Sequence, residues 1–114
     1  MVYDATMTND TLHRLAETIA ERASASAEDS YTRSLLDGGP EKCARKFGEE
    51  ASEIVIAAVS QDDAALKAEA ADVLFHLLVL LKSRGVALGD VMAELESRTG
   101  RSGHAEKAAR SKGR

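Results

Sequence analysis

The sequence predicts an all-α fold of about five helices. Three observations point there. Apolar residues recur at i, i+3, i+4 and i+7 rather than at alternate positions, and no stretch alternates long enough to make a strand. Ala, Leu and Glu, all strong helix formers, recur throughout, against a single Pro. At 114 residues the chain is most simply one domain: an N-terminal extension over 1–9, a helical body over 10–99 and a basic tail over 100–114. A bundle of this size gains from oligomerisation.

The first helix is expected to start from a cap at Asn9 or Asp10, with Leu12, Leu15, Ala16, Ile19, Ala20 and Ala23 along one face. SASAEDS, small and polar, reads as a linker into the short helix of SYTRSLLDGG, which Gly38 and Gly39 stop. Pro40 suits the first turn of a third helix, where Cys43, Phe47, Ala51, Ile54, Val55 and Ala58 trace a stripe to about Ser60. After a turn at Gln61–Asp63, a fourth helix runs to about Arg84 and ends at Gly85. Its VLFHLLVLL run is apolar nearly all round, so it belongs at the centre of the bundle or in a subunit interface. A fifth helix, from about Leu88 to Thr99, places Leu88, Val91, Met92 and Leu95 at helical spacing.

Charge narrows the function. The net charge is −4, but residues 100–114 hold Arg101, Lys107, Arg110, Lys112 and Arg114 against Glu106, a local +4, which leaves −8 on residues 1–99. An acidic body is unsuited to phosphate backbones, so no nucleic-acid partner is expected. The lone cysteine, Cys43, cannot form an internal disulfide and reads as a small core group; MVYDATMTND lacks the basic and apolar regions of a signal peptide. The longest apolar run falls well short of the ~20 residues of a membrane span. A cytoplasmic protein is expected, with no membrane partner.

The negative charge is concentrated where the core begins. Glu49, Glu50 and Glu53 crowd one turn directly before the apolar run of helix three, and Glu69 and Asp72 repeat the spacing on helix four, with His76 one turn further on. Residues three or four apart on a helix are neighbours. If the two helices are antiparallel and pack through their apolar faces, the pairs converge at the rim of the core. Carboxylates gathered there raise one another's pKa unless a cation neutralises them, and an all-oxygen site with room for phosphate oxygens suits Mg²⁺. A solvated acidic face is the competing explanation for a single pair, since Lys46 can pair with Glu50; the recurrence on a second helix favours a metal site. His76 reads more simply as a core histidine with Asp72 as its local partner.

With those residues in place, the chain resembles the phosphoribosyl-ATP pyrophosphohydrolase family. The resemblance runs through SYTRSLL, KFGEEASEIVIAA, EAADVLFHLLVLL and SGHAEKAAR, over roughly residues 10–110. That family is grouped with the MazG-like all-α nucleoside triphosphate pyrophosphatases, marked by ExxE followed across a turn by ExxD, here Glu50–Glu53 and Glu69–Asp72. The resemblance implies hydrolysis of phosphoribosyl-ATP between the α and β phosphorus atoms to phosphoribosyl-AMP and pyrophosphate, the second step of L-histidine biosynthesis, with Mg²⁺ held by the carboxylates already singled out; a homodimer is expected from the fourth helix, which is too apolar for a lone small bundle. The resemblance also implies roles: Glu50, Glu53, Glu69 and Asp72 as metal ligands; Glu49, Glu50 and Glu53 as catalytic carboxylates, Glu49 orienting or deprotonating the water; and Lys46, Ser30, Tyr31, Thr32, Arg33 and His76 as substrate contacts, with capping of the short helix the alternative for Ser30 and the role of Arg33 open. The basic tail, as a charge run, reads first as solvated and second as a fold over the anionic substrate. Phe75 departs from the tyrosine common in the family, and any hydroxyl contact there is lost.

Rival readings remain on the residues alone. One is a general pyrophosphatase of (deoxy)nucleoside triphosphates, against which the SYT segment and the tail argue. Another is a helical dimerisation module whose acidic face only solubilises. A di-iron carboxylate bundle uses Glu-x-x-His pairs, and none occurs.

Overall fold

The computed structural model describes residues 5–24 and 30–99, with side chains from residue 11 onward. Five helices follow one another: α1 (Ala5–Arg22), α2 (Tyr31–Asp37), α3 (Gly39–Ser60), α4 (Asp63–Ser83) and α5 (Leu88–Arg98). No strand occurs among the described residues. The fold is all-α, as the periodicity indicates. The expected linker lies mostly on residues 25–29 and the basic tail on 100–114, both outside the described residues.

Each boundary has a local cause. α1 begins ahead of the cap expected at Asn9 or Asp10, because Ala5–Thr8 contains neither Pro nor Gly and nothing there stops the helix. Ser30 caps α2, its hydroxyl accepting from the Arg33 N–H at 3.1 Å. Gly38 closes α2, and Gly39, at φ 77°, makes the reversal into α3 that a side chain would strain. Asp62 caps α4 by accepting from the Ala65 N–H at 2.9 Å. Gly85, at φ 70°, ends α4 in a Schellman motif, with Gly85 N–H donating to the Lys82 carbonyl and Val86 N–H to that of Leu81, both at 3.0 Å.

Only Gln61 and Asp62 separate α3 from α4, so the two helices fold back on each other and share the most extensive contact in the bundle. α4 also touches α1 and α2, which makes it the central helix. Ile19, Leu35, Cys43, Leu78 and Val79 form the buried cluster, joining all four of these helices. Cys43 packs there as expected, its thiol donating to the Leu35 carbonyl at 3.3 Å. α5 buries no residue and meets the core through Leu88.

The stripe expected on α3 is displaced. Cys43, Glu50 and Ala57, seven residues apart, are its buried line, with Phe47 and Ile54 half-buried beside them. Val55 is 62% exposed and Ala58 is also exposed, because Val55 lies about 120° round the helix from Cys43. The seam is therefore rotated toward the acidic side, and a glutamate sits in it.

Truncating Ile19 to Ala should cost about 3 kcal/mol in a urea titration, as for a fully buried side chain. Asp62→Ala should cost about 1 kcal/mol, through loss of the α4 cap alone.

Candidate metal centre

Glu50 is only 9% exposed, held in the α3–α4 seam by the packing on either side of it. From α4, Glu69 and Asp72 point to the same place. One carboxylate oxygen from each of Glu50, Glu69 and Asp72 lies within 4.8 Å of the others. Glu53, on the next turn of α3, lies close enough that its charge acts on both Glu50 and Glu69. The four carboxylates expected to act together are thus brought together, three as a compact group and Glu53 beside it.

The electrostatics record the cost of this gathering. Burial pushes the Glu50 carboxyl up from its ordinary value, the close approach and charge of Glu53 add to that, and Asp72 adds further; Lys46 opposes them. Glu69 is likewise raised, by burial first and then by the charges of Glu53 and Asp72. Glu69 Oε2 is buried without a hydrogen-bond partner. A buried acceptor left unsatisfied is costly, and beside two further carboxylates a cation is one group that can satisfy it. The donor set fits: three or four carboxylates, all hard oxygen ligands, with no cysteine in the group. These residues can hold a divalent cation.

The remaining expected site residues surround this group at different depths. Glu49 is exposed and turned to Lys46, whose ammonium is 3.3 Å from Glu49 Oε2 and 3.9 Å from Glu50 Oε1. The ion pair with Glu49 is the chief cause that holds the Lys46 ammonium more firmly protonated. His76 Nε2 lies 4.0 Å from Glu50 Oε1. This contact is too long for a hydrogen bond. Burial, and then Lys46, lower the His76 pKa against the opposing charges of Asp72 and Glu49, so a neutral imidazole and not an ion pair stands beside Glu50.

Further out, the α2 segment divides. Ser30 and Thr32 are buried, and the Ser30 hydroxyl is engaged as the cap. Tyr31 between them is exposed. Arg33 braces the fold, donating from Nη1 to the Ala23 carbonyl at 3.1 Å and pairing with Asp37 at 2.8 Å. What the sequence did not reveal is a cluster of rings at the edge of the acidic group, formed by Tyr31, Phe75 and His76. Tyr31 is far from the other two in sequence, and no local spacing signals it.

Replacing Glu50 by the neutral isostere Gln removes a buried, repelled carboxylate. A raised acid pKa means that the folded chain holds its proton longer than the unfolded one, so this part of the stability falls as pH rises through the raised value. His76 acts in the opposite sense at low pH, but it is common to both chains and drops out of the comparison. In chelator at about pH 7, Glu50→Gln should therefore melt above the parent chain, and the gap should close as pH falls to the ordinary carboxylate range. Added divalent cation should raise the melting temperature of the parent and not that of the variant.

Comparison with known proteins identifies the family. The family described as phosphoribosyl-ATP pyrophosphohydrolase matches residues 12–99. The chain is 61% identical over 104 residues to phosphoribosyl-ATP pyrophosphatase 1 of Rhodopseudomonas palustris, covering 91% of this chain and 97% of that protein. It is 62% identical over 100 residues to phosphoribosyl-ATP pyrophosphatase 1 of Bradyrhizobium diazoefficiens, covering 88% and 94%. Against the phosphoribosyl-ATP pyrophosphatase of Paracoccus denitrificans it is 62% identical over 99 residues, covering 87% and 92%. The match spans α1 to α5 and takes in every carboxylate of the centre, and the chain belongs to the phosphoribosyl-ATP pyrophosphohydrolase family.

Proposed function

We propose that this chain hydrolyses phosphoribosyl-ATP to phosphoribosyl-AMP and pyrophosphate, the second step of L-histidine biosynthesis. The observation that supports it best is the meeting of Glu50, Glu69 and Asp72 from two helices around a buried, unsatisfied Glu69 oxygen, in a chain of this family. A triphosphate is polyanionic and cannot approach bare carboxylates; it needs them neutralised first.

Glu50, Glu69 and Asp72, with Glu53 beside them, are the residues that would hold Mg²⁺. When bound, Mg²⁺ accepts phosphate oxygens and offsets the charge that develops on the leaving pyrophosphate. The protein's own groups do the rest. Glu49, exposed and on the turn next to Glu50, orients the attacking water and takes its proton. Its link to Lys46 places a cation beside that base, where Lys46 can exchange Glu49 for a phosphate oxygen as the substrate arrives. His76 stays neutral and buried, so it adds no further charge to the acidic wall.

The exposed face of α3 supports a homodimer. Val55, Ile56 and Val59, at 62%, 53% and 82% exposure, form an apolar strip on one side of the helix. A second copy covering it would remove that surface from water. No helix among the described residues is long and apolar enough to cross a membrane, and we place the enzyme in the cytoplasm.

Pyrophosphate release is the direct test. Phosphoribosyl-ATP should be turned over with Mg²⁺ and not in chelator, and faster than ATP or any deoxynucleoside triphosphate. Faster turnover of a plain triphosphate would identify a general nucleotide pyrophosphatase instead. Glu53→Ala and Asp72→Ala should each lower kcat about 100-fold or more while keeping the helical circular dichroism, the scale of losing one preorganised electrostatic group. Sedimentation equilibrium should give the mass of two chains, and Val59→Asp should give that of one.

A further inference from the structure

The acidic centre and Lys46 account for a polyphosphate. They leave the base of the nucleotide without a seat. The rings at the edge of the centre have the geometry for one.

Tyr31 is the first residue of α2, and although its neighbours Ser30 and Thr32 are buried, it is itself 56% exposed. Its ring lies nearly parallel to that of Phe75 on α4, with an interplanar angle of 16° and centroids 6.5 Å apart. That separation is at the long end for an aromatic pair, so the two rings share an orientation without being pressed together. His76 stands edge-on to both, at 5.0 Å and 84° from Phe75 and at 6.2 Å and 87° from Tyr31. The same imidazole reaches to 4.0 Å from Glu50. One ring therefore separates the aromatic pair from the carboxylates.

We propose that Tyr31 and Phe75 form the platform on which the purine base of the substrate stacks, with the polyphosphate passing His76 toward Lys46 and the carboxylate group. The inference rests on the phosphoribosyl-ATP reading above and adds the residues that recognise the base. Stacking suits this substrate for a steric reason. An adenine nucleotide that bears an extra phosphoribosyl group must keep part of its ring edge clear, and a platform that reads the face leaves the edge free where an enclosing pocket would not. Aromatic faces bind bases without needing hydrogen-bond partners, so a phenyl ring at position 75 serves as well as a phenol. Tyr31 and Phe75 also stand on different helices, which fixes their common orientation through the packing of α2 on α4.

The chain has two tyrosines, Tyr3 and Tyr31, and no tryptophan, so tyrosine emission can be assigned. In the full-length Tyr3→Phe chain, ATP with Mg²⁺ should quench the Tyr31 emission, whereas inorganic tripolyphosphate should not. Absence of quenching by ATP overturns the proposal, whether or not the chain hydrolyses phosphoribosyl-ATP. In steady-state assays, Tyr31→Leu and Phe75→Leu should each raise KM for phosphoribosyl-ATP about tenfold, with a smaller change in kcat, the scale of one lost base–aromatic stack. Inhibition by tripolyphosphate should be unchanged in both. An unchanged KM in the leucine variants, or an equal loss of affinity for tripolyphosphate, would show that the rings do not read the base. A parent chain that fails to hydrolyse phosphoribosyl-ATP but still shows ATP quenching would end the substrate assignment and leave the platform standing.

Discussion

Everything in this structure turns on a carboxylate placed in a helix seam. Glu50 occupies the position between Cys43 and Ala57 where an apolar side chain would ordinarily lie, and it is buried there. Its charge is disfavoured by loss of water and by the neighbouring acids, so the α3–α4 contact, the largest in the bundle, contains a built-in conflict. Glu69 and Asp72 deepen that conflict instead of relieving it. A hydrophobic core elsewhere, formed by Ile19, Leu35, Cys43, Leu78 and Val79, holds the two helices together against it. The energy of packing is thereby used to keep the acidic oxygens close, an arrangement that can hold a divalent cation.

The surrounding elements set the distance and direction of approach to that centre. The two-residue turn, with Asp62 as cap, forces α4 to run back along α3, so that Glu50 faces Glu69 and Asp72. The α2 segment is anchored from below by Ser30, Thr32 and Leu35 and laterally by the Arg33 bond to the end of α1. That anchoring leaves Tyr31 facing outward at the rim. Polar and aromatic surfaces therefore meet along one edge of the bundle, with His76 as the ring between them.

Much of this was legible in the sequence. Helical periodicity, the glycines at 38, 39 and 85 and the Gln61–Asp63 turn located α2 to α5 closely, because each signal is local and acts on the backbone directly. α1 starts ahead of Asn9 and Asp10, since a good capping residue within a helix-permissive stretch does not oblige the helix to begin there. Hydrophobicity alone traces the α3 stripe through Val55 and Ala58, whereas the buried line runs through Glu50, a residue no hydrophobic pattern would select.

What the sequence by itself determined is the set of helices and the acid pairs at Glu50–Glu53 and Glu69–Asp72, because spacing along one helix fixes which side chains are neighbours on it. Only the tertiary structure decided how far each helix is rotated about its own axis. That rotation puts Glu50 in the seam, leaves Val55 and Val59 outside, strands Glu69 Oε2 without a partner and sets Tyr31 parallel to Phe75. The reason is physical: rotation is chosen by the fit of several helices at once, and a single helix read alone has no term for its neighbours.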